Sequence, residues 1–180
     1  MEAEVRRAFL ALWPPAALAS TLLERCAGLA GRPVPAQDLH LTLAYLGDLD
    51  DAGRDAVSRI AARLVLPALD LQPDRLAWWP HNRILWAGLK AWPEPLARFH
   101  SELLRSLMAA GFSLEKRPFV PHLTLLKQAA RPSGDGTFSA REVAGLPLWP
   151  LDSFCLAASL PAGERLAGRY TILERWPAVQ

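Results

Sequence analysis

Apolar residues recur along this chain with two different spacings, and the switches between them mark out strands and helices. Residues 5–13 read as a first strand ended by Pro14. Pro15 suits the first position of a helix reaching about residue 31, with Leu18, Leu22 and Leu29 on its buried stripe. After the turn-like Arg32-Pro33-Val34-Pro35, residues 39–46 form a second strand, closed by Gly47-Asp48. Asp50 or Asp51 then caps a helix to about residue 66, with Val57, Ile60 and Leu64 at helical spacing. Residues 69–79 and 84–89 read as two strands of a hairpin joined through Pro80-His81-Asn82-Arg83. A third helix over 93–110 ends at Gly111, and a strand begins at His122. A mobile loop rich in Gly, Pro and Ser follows at 131–137. An antiparallel pair, 154–160 and 170–176, closes the chain.

This order predicts an α+β protein with antiparallel sheets flanked by helices. One strand in each half follows a helix and carries the same motif, so residues 1–180 are expected to form a single domain of two pseudo-symmetric lobes with the active-site cleft between them. The motif is His40-Leu41-Thr42-Leu43, repeated as His122-Leu123-Thr124-Leu125. With four His and five Thr in 180 residues, Thr stands two places after a given His with a chance of roughly 3%, and after two of four with a chance on the order of 0.5%. The repeat is therefore a signal.

In a strand, the His and the Thr of each motif share one face and the leucines the other. An imidazole can carry a proton near neutral pH, and a hydroxyl beside it can donate a hydrogen bond. Opening a phosphodiester requires a base for the attacking oxygen and an acid for the leaving one, on opposite sides of an in-line phosphorus. Two histidines facing across a cleft can supply both, with Thr42 and Thr124 on the non-bridging oxygens. Spacing alone leaves open which His is which. There is no H-E-x-x-H, no clustered Asp/His set and no P-loop, so neither a metal nor another cofactor is expected.

Composition narrows the partners. A 51% hydrophobic content fills one core, and a net charge of +2 is too mild for non-specific nucleic-acid binding, so any RNA contact should be local. Cys26 and Cys155 lack metal or redox spacing and read as free buried thiols of a reducing compartment. The N-terminus imitates a secretory signal, but Glu2, Glu4 and Pro14-Pro15 spoil it. With no membrane-length apolar run, a cytoplasmic monomer is expected. Trp78, Trp79 and Trp86 read as core residues rather than a base-stacking platform, His100 as structural and His81 as a solvated turn residue.

The paired motifs are similar to those of the 2H phosphoesterase superfamily. Within it, residues 6–15, Tyr45-Leu46-Gly47, Arg117-Pro118-Phe119-Val120-Pro121 and residues 168–177 resemble the RNA 2′,3′-cyclic phosphodiesterases, once described as 2′-5′ RNA ligases. The resemblance implies a bilobal fold and hydrolysis of an RNA 3′-terminal 2′,3′-cyclic phosphate to a 2′-phosphomonoester, with 2′-5′ ligation in reverse as a second activity it allows. It implies His40 as proton donor to the leaving 3′ oxygen and His122 as the base that activates water. Thr42 and Thr124 would be phosphate ligands, joined by Arg117 and Lys127. RNA ends such as tRNA fragments, and small cyclic nucleotides, are the partners it suggests. Two departures stand out: Lys127 replaces the family's usual Arg, and residues 159–168 before Tyr170 exceed its usual turn. The competing readings are a non-catalytic nucleotide-binding module and a phosphodiesterase of small cyclic nucleotides.

Overall fold

The computed structural model describes residues 6–116, 118–132, 140–161 and 168–179. In chain order its strands are β1 (Arg6–Leu12), β2 (Arg32–Pro33), β3 (Leu41–Leu49), β4 (Asp70–Leu71), β5 (Arg75–Trp79), β6 (Ile84–Gly88), β7 (His122–Lys127), β8 (Ala140–Glu142), β9 (Trp149–Pro150), β10 (Ser153–Ser159) and β11 (Tyr170–Pro177). The helices are α1 (Ala16–Glu24), α2 (Asp51–Ala61) and α3 (Glu94–Ala109), with a 3₁₀ turn at Ala36–Asp38. The α+β arrangement of antiparallel strands and flanking helices expected from the sequence is what forms.

Several boundaries differ from the sequence reading, each for a local reason. Helix α1 stops at Glu24 because the following turns tighten, with Cys26 and Ala27 donating to the carbonyls of Leu23 and Glu24, and Gly28 turns away at φ +82. Leu29 thus leaves the buried stripe and is 39% exposed. Helix α2 ends at Ala61 rather than near residue 66; Asp50 caps its start by accepting from the Gly53 amide. Gly47 does not close the second strand. It sits at φ +75 within β3 beside a bulge and the strand continues to Leu49. The expected strand over 69–79 is split, because β4 pairs with β9 while β5 pairs with β6 and β8. Most of the loop expected at 131–137, and of the turn before Tyr170, lies outside the described residues.

The main sheet runs β11-β10-β1-β3-β7-β6-β5-β8, with β2 added beside β7. It falls into two four-stranded halves whose innermost strands, β3 and β7, carry the two motifs and meet through one registered pair, Leu41 and Leu123. All four motif leucines are buried against α1, α2 and α3 through Leu18, Leu22, Val57, Leu96, Phe99 and Leu103. The opposite face carries a smaller cluster of Phe9, Ala11 and Ala157 with Trp13 and Tyr170. No helix among the described residues is long and apolar enough to cross a membrane. Both cysteines are free and buried, which pushes their thiols above the ordinary range.

Each motif strand contains an extra residue at the same place. Leu10 pairs with Ala44 and Ala11 with Thr42, so Leu43 is bulged; Leu85 pairs with Leu126 and Trp86 with Thr124, so Leu125 is bulged. A bulge interrupts the ladder, and each carbonyl finds a donor from an element distant in sequence. The His100 ring, on α3 of the second half, donates from Nε2 to the Leu43 carbonyl at 2.8 Å, and the Val34 amide, ahead of β3, donates to the Leu125 carbonyl at 2.9 Å. His100 is 6% exposed, so its loss would strand a buried acceptor. His100→Phe, which keeps a ring stacked on Phe119 but removes the donor, should cost about 1–3 kcal/mol in urea unfolding. His100→Gln should restore part of it, and equal stability of His100→Phe and wild type would show that the bond contributes nothing.

Candidate active site

His40 lies one residue ahead of β3 and His122 opens β7, so both imidazoles stand at the mouth of the junction between the halves. Each is oriented by its own backbone two residues upstream. The His40 Nδ1–H donates to the Asp38 carbonyl at 2.7 Å, and the His122 Nδ1–H donates to the Val120 carbonyl at 2.7 Å. A carbonyl can only accept, so the proton of each neutral ring sits on Nδ1, and Nε2 is the nitrogen able to take or give a proton. Pro121 precedes His122 and holds Val120 in the extended region that aims this carbonyl.

The two rings share this bond but not their surroundings. His40 packs against both Phe9 and Trp13, with centroids 4.7 and 5.0 Å away, and the Tyr170 ring meets it edge-on at 5.0 Å. Trp13 is itself fixed by donating to the Gln37 carbonyl. Burial in this box lowers the His40 pKa to about 4, opposed by the hydrogen bond to Asp38 and reinforced by the charges of Lys127 and His122. His122 instead meets the rings of Trp79 at 4.6 Å and Trp86 at 5.9 Å, both near perpendicular. Trp78 and Trp86 are packing residues as expected, whereas Trp79 borders the site. His81 is exposed and His100 buried, in line with their sequence readings.

A cavity of about 300 Å³ opens here, lined by His40, Thr42, His122, Thr124 and Lys127 together with Arg32, Pro33, Val34, Pro35, Asp38, Arg169 and Tyr170. Five of the six residues singled out from the sequence are thus gathered in one place; the sixth, Arg117, lies outside the described residues. Strict alternation would turn Lys127 away from Thr124, and the bulge at Leu125 returns it to the cavity face. Tyr170, which follows the lengthened segment 159–168, lines the cavity at the edge of His40.

Arg32, Asp38 and Arg169 escaped the sequence reading. A signal for Arg32 was present, since an Arg-Pro pair precedes each motif, at Arg32-Pro33 and Arg117-Pro118. Asp38 had none, because its role comes from tertiary structure. Its carboxylate is 2% exposed and accepts the Arg169 amide at 2.9 and 3.1 Å, while its carbonyl orients His40. A Cβ at position 168 would lie 2.9 Å from the Asp38 carboxylate, so Gly168 is what lets β11 approach. One residue therefore ties the start of β11 to the first histidine.

Both the sequence and the fold match known proteins. The chain belongs to the 2′-5′ RNA ligase superfamily, which it matches over residues 14–157. It is 34% identical over 157 residues to an RNA 2′,3′-cyclic phosphodiesterase of Escherichia coli (strain K12), covering 84% of this chain and 82% of that one. Its fold superposes on the crystal structure of E. coli LigT complexed with 3′-AMP with a TM-score of 0.85 and 32% identity, covering 98% of this chain and 100% of that one. The corresponding values for LigT complexed with phosphate are 0.81, 30%, 98% and 99%.

The environment of His40 has a measurable consequence. Its folded pKa lies below the value near 6.5 of an unfolded chain, so between pH 6.5 and about 4 the unfolded state binds the proton more readily, and stability falls as pH falls through that window. A phosphate anion in the cavity acts in the opposite direction, favouring the imidazolium. In an NMR titration, His40 of the free protein should titrate well below 6.5, and saturating adenosine 3′-phosphate should raise its midpoint. An unmoved midpoint would mean that the anion does not reach this ring.

Proposed function

We propose that this protein hydrolyses the 2′,3′-cyclic phosphate at an RNA 3′ end to a 2′-phosphomonoester, with His40 and His122 as acid and base. The reading is supported above all by one observation: two imidazoles, each held through Nδ1 by a backbone carbonyl, line the same cavity as two threonines. It is supported too by the relatives, one named an RNA 2′,3′-cyclic phosphodiesterase and one crystallised with 3′-AMP. In this reading the protein is a cytoplasmic monomer, and residues 1–180 act as one bilobal unit.

Neutral His122 takes a proton from water at Nε2 as the water oxygen bonds to phosphorus. The bond from phosphorus to the 3′ oxygen breaks in line, and protonated His40 gives its Nε2 proton to that oxygen, leaving the phosphate on the 2′ oxygen. Thr42 and Thr124 donate to the non-bridging oxygens, and Lys127 supplies a point charge where a guanidinium would supply a fork. Arg117 is kept as a further phosphate contact from the family resemblance alone. His40 is assigned as the acid from the family resemblance. Burial beside the aromatic rings keeps its ring neutral in the empty cavity, so the role requires the bound phosphate anion to raise its pKa.

The metal-independent form of the reading rests on the donors present: two protonatable rings, two hydroxyls and cationic side chains. Among the described residues no three His, Cys, Asp or Glu side chains gather as a metal site would need. An RNA oligonucleotide ending in a 2′,3′-cyclic phosphate should therefore be hydrolysed in excess EDTA, with the 2′-phosphate as product. Activity lost with chelator and restored by a divalent ion would refute this mechanism.

His40→Ala or His122→Ala should each lower the rate by on the order of 10²–10⁴ and remove one limb of a bell-shaped pH profile. The double variant should lose far less than the product of the two, because the residues act as a unit. Thr42→Val and Thr124→Val should lower turnover up to a few hundredfold without unfolding the protein. A bell surviving in the double histidine variant would point to other residues.

A further inference from the structure

The cavity holds more positive charge than a cyclic phosphate can use. Arg32, Lys127 and Arg169 line it, and the one lining carboxylate, Asp38, is already turned to the Arg169 amide. None of the three cations takes part in an ion pair among the described residues. Arg32 and Lys127 stand directly opposite one another across β2 and β7, an arrangement that like charges disfavour. Besides burial, the charges of Arg169 and Arg32 weaken the hold of Lys127 on its proton, so the three share one field. A 2′,3′-cyclic phosphate carries a single negative charge, and one imidazolium with two hydroxyls already answers it. Three cations against one buried carboxylate leave a surplus of about two positive charges facing the cavity. An anion placed between Arg32 and Lys127 would relieve their repulsion.

We propose that Arg32 and Arg169 form a second anion subsite, which takes the 5′-phosphate of the nucleotide whose cyclic phosphate lies between the histidines. This rests on the function proposed above and sharpens its substrate class to a nucleotide phosphorylated at both ends of the ribose, as every residue but the first is within an RNA chain. The subsite is built rather than incidental. Arg169 projects from backbone locked by the buried Asp38 carboxylate and admitted only by Gly168, and Arg32 projects from a strand paired to the end of the second motif. Guanidinium groups bind phosphate oxygens in two-pronged fashion. Lys127 lines the same cavity and stands opposite Arg32.

Calorimetric titration of the full chain with adenosine 3′-phosphate and with adenosine 3′,5′-bisphosphate tests this, alongside kcat/KM for adenosine 2′,3′-cyclic phosphate and its 5′-phosphorylated form. The bisphosphate should bind on the order of tenfold more tightly, with an advantage that falls as salt rises, and the 5′-phosphorylated substrate should gain a similar factor in KM. In the Arg32→Gln, Arg169→Gln double variant the advantage should shrink to roughly twofold. Equal affinities in the wild type, a comparison that needs no variant to fold, would overturn the subsite, as would an undiminished advantage in the double variant. Hydrolysis of both cyclic substrates with no 5′ preference would reject the subsite and keep the phosphodiesterase reading. Tighter binding of the bisphosphate without turnover of either substrate would keep the subsite and reject that reading.

Discussion

The site depends on two hydrogen bonds that complete the interrupted ladders of the motif strands. Each motif strand carries one extra residue just after its threonine, and in the second motif this returns Lys127 to the cavity face. The interrupted ladder leaves a carbonyl to satisfy in a buried setting, where an unmade bond is costly. His100, from the helix of the second half, answers the first motif, and Val34, from the segment ahead of β3, answers the second. The same His100 ring stacks at 3.8 Å on Phe119, the residue before the carbonyl that orients His122. The arginine at the start of β2 and the lysine at the end of β7 are brought face to face by the pairing that Val34 extends.

Much of this was legible in the chain, and the illegible part has a common character. Strand alternation placed His40, Thr42, His122 and Thr124 on one face and the four leucines on the other, because burial of one face leaves a period of two that survives inspection. The hairpin, the closing strand pair and all three helices were readable from turn residues and apolar spacing. Helix α1 was overextended because its apolar pattern continues past the point where Gly28 turns the chain. The bulges were invisible, since both follow from pairing with neighbours distant in sequence, and with them went the orientation of Lys127. Asp38 and Arg169, 131 residues apart, meet only in the folded protein. Trp79 was counted with the core because aromatic content says nothing about which side of a sheet an indole will cover.

The two histidines illustrate how a repeated motif becomes asymmetric without changing its own residues. Their local bonds are equivalent, and the difference comes from neighbours: two stacked rings and a tyrosine edge around one, two indole edges beside the other. Solvation is thereby distributed unequally between groups of identical intrinsic basicity. That is the physical requirement for one to hold a proton while the other lacks it.

The single registered pair joining β3 to β7 carries a mechanical implication. Neither half contains both rings, so the distance between them is a dimension of the whole molecule, set by the helices behind the sheet and the bonds at the bulges, with only one rung of ladder to resist shear. Compliance at that seam converts directly into misalignment of the two imidazoles, the proposed proton-transfer partners. Loosened packing behind it should thus register as slower chemistry at temperatures where each half-sheet is still intact.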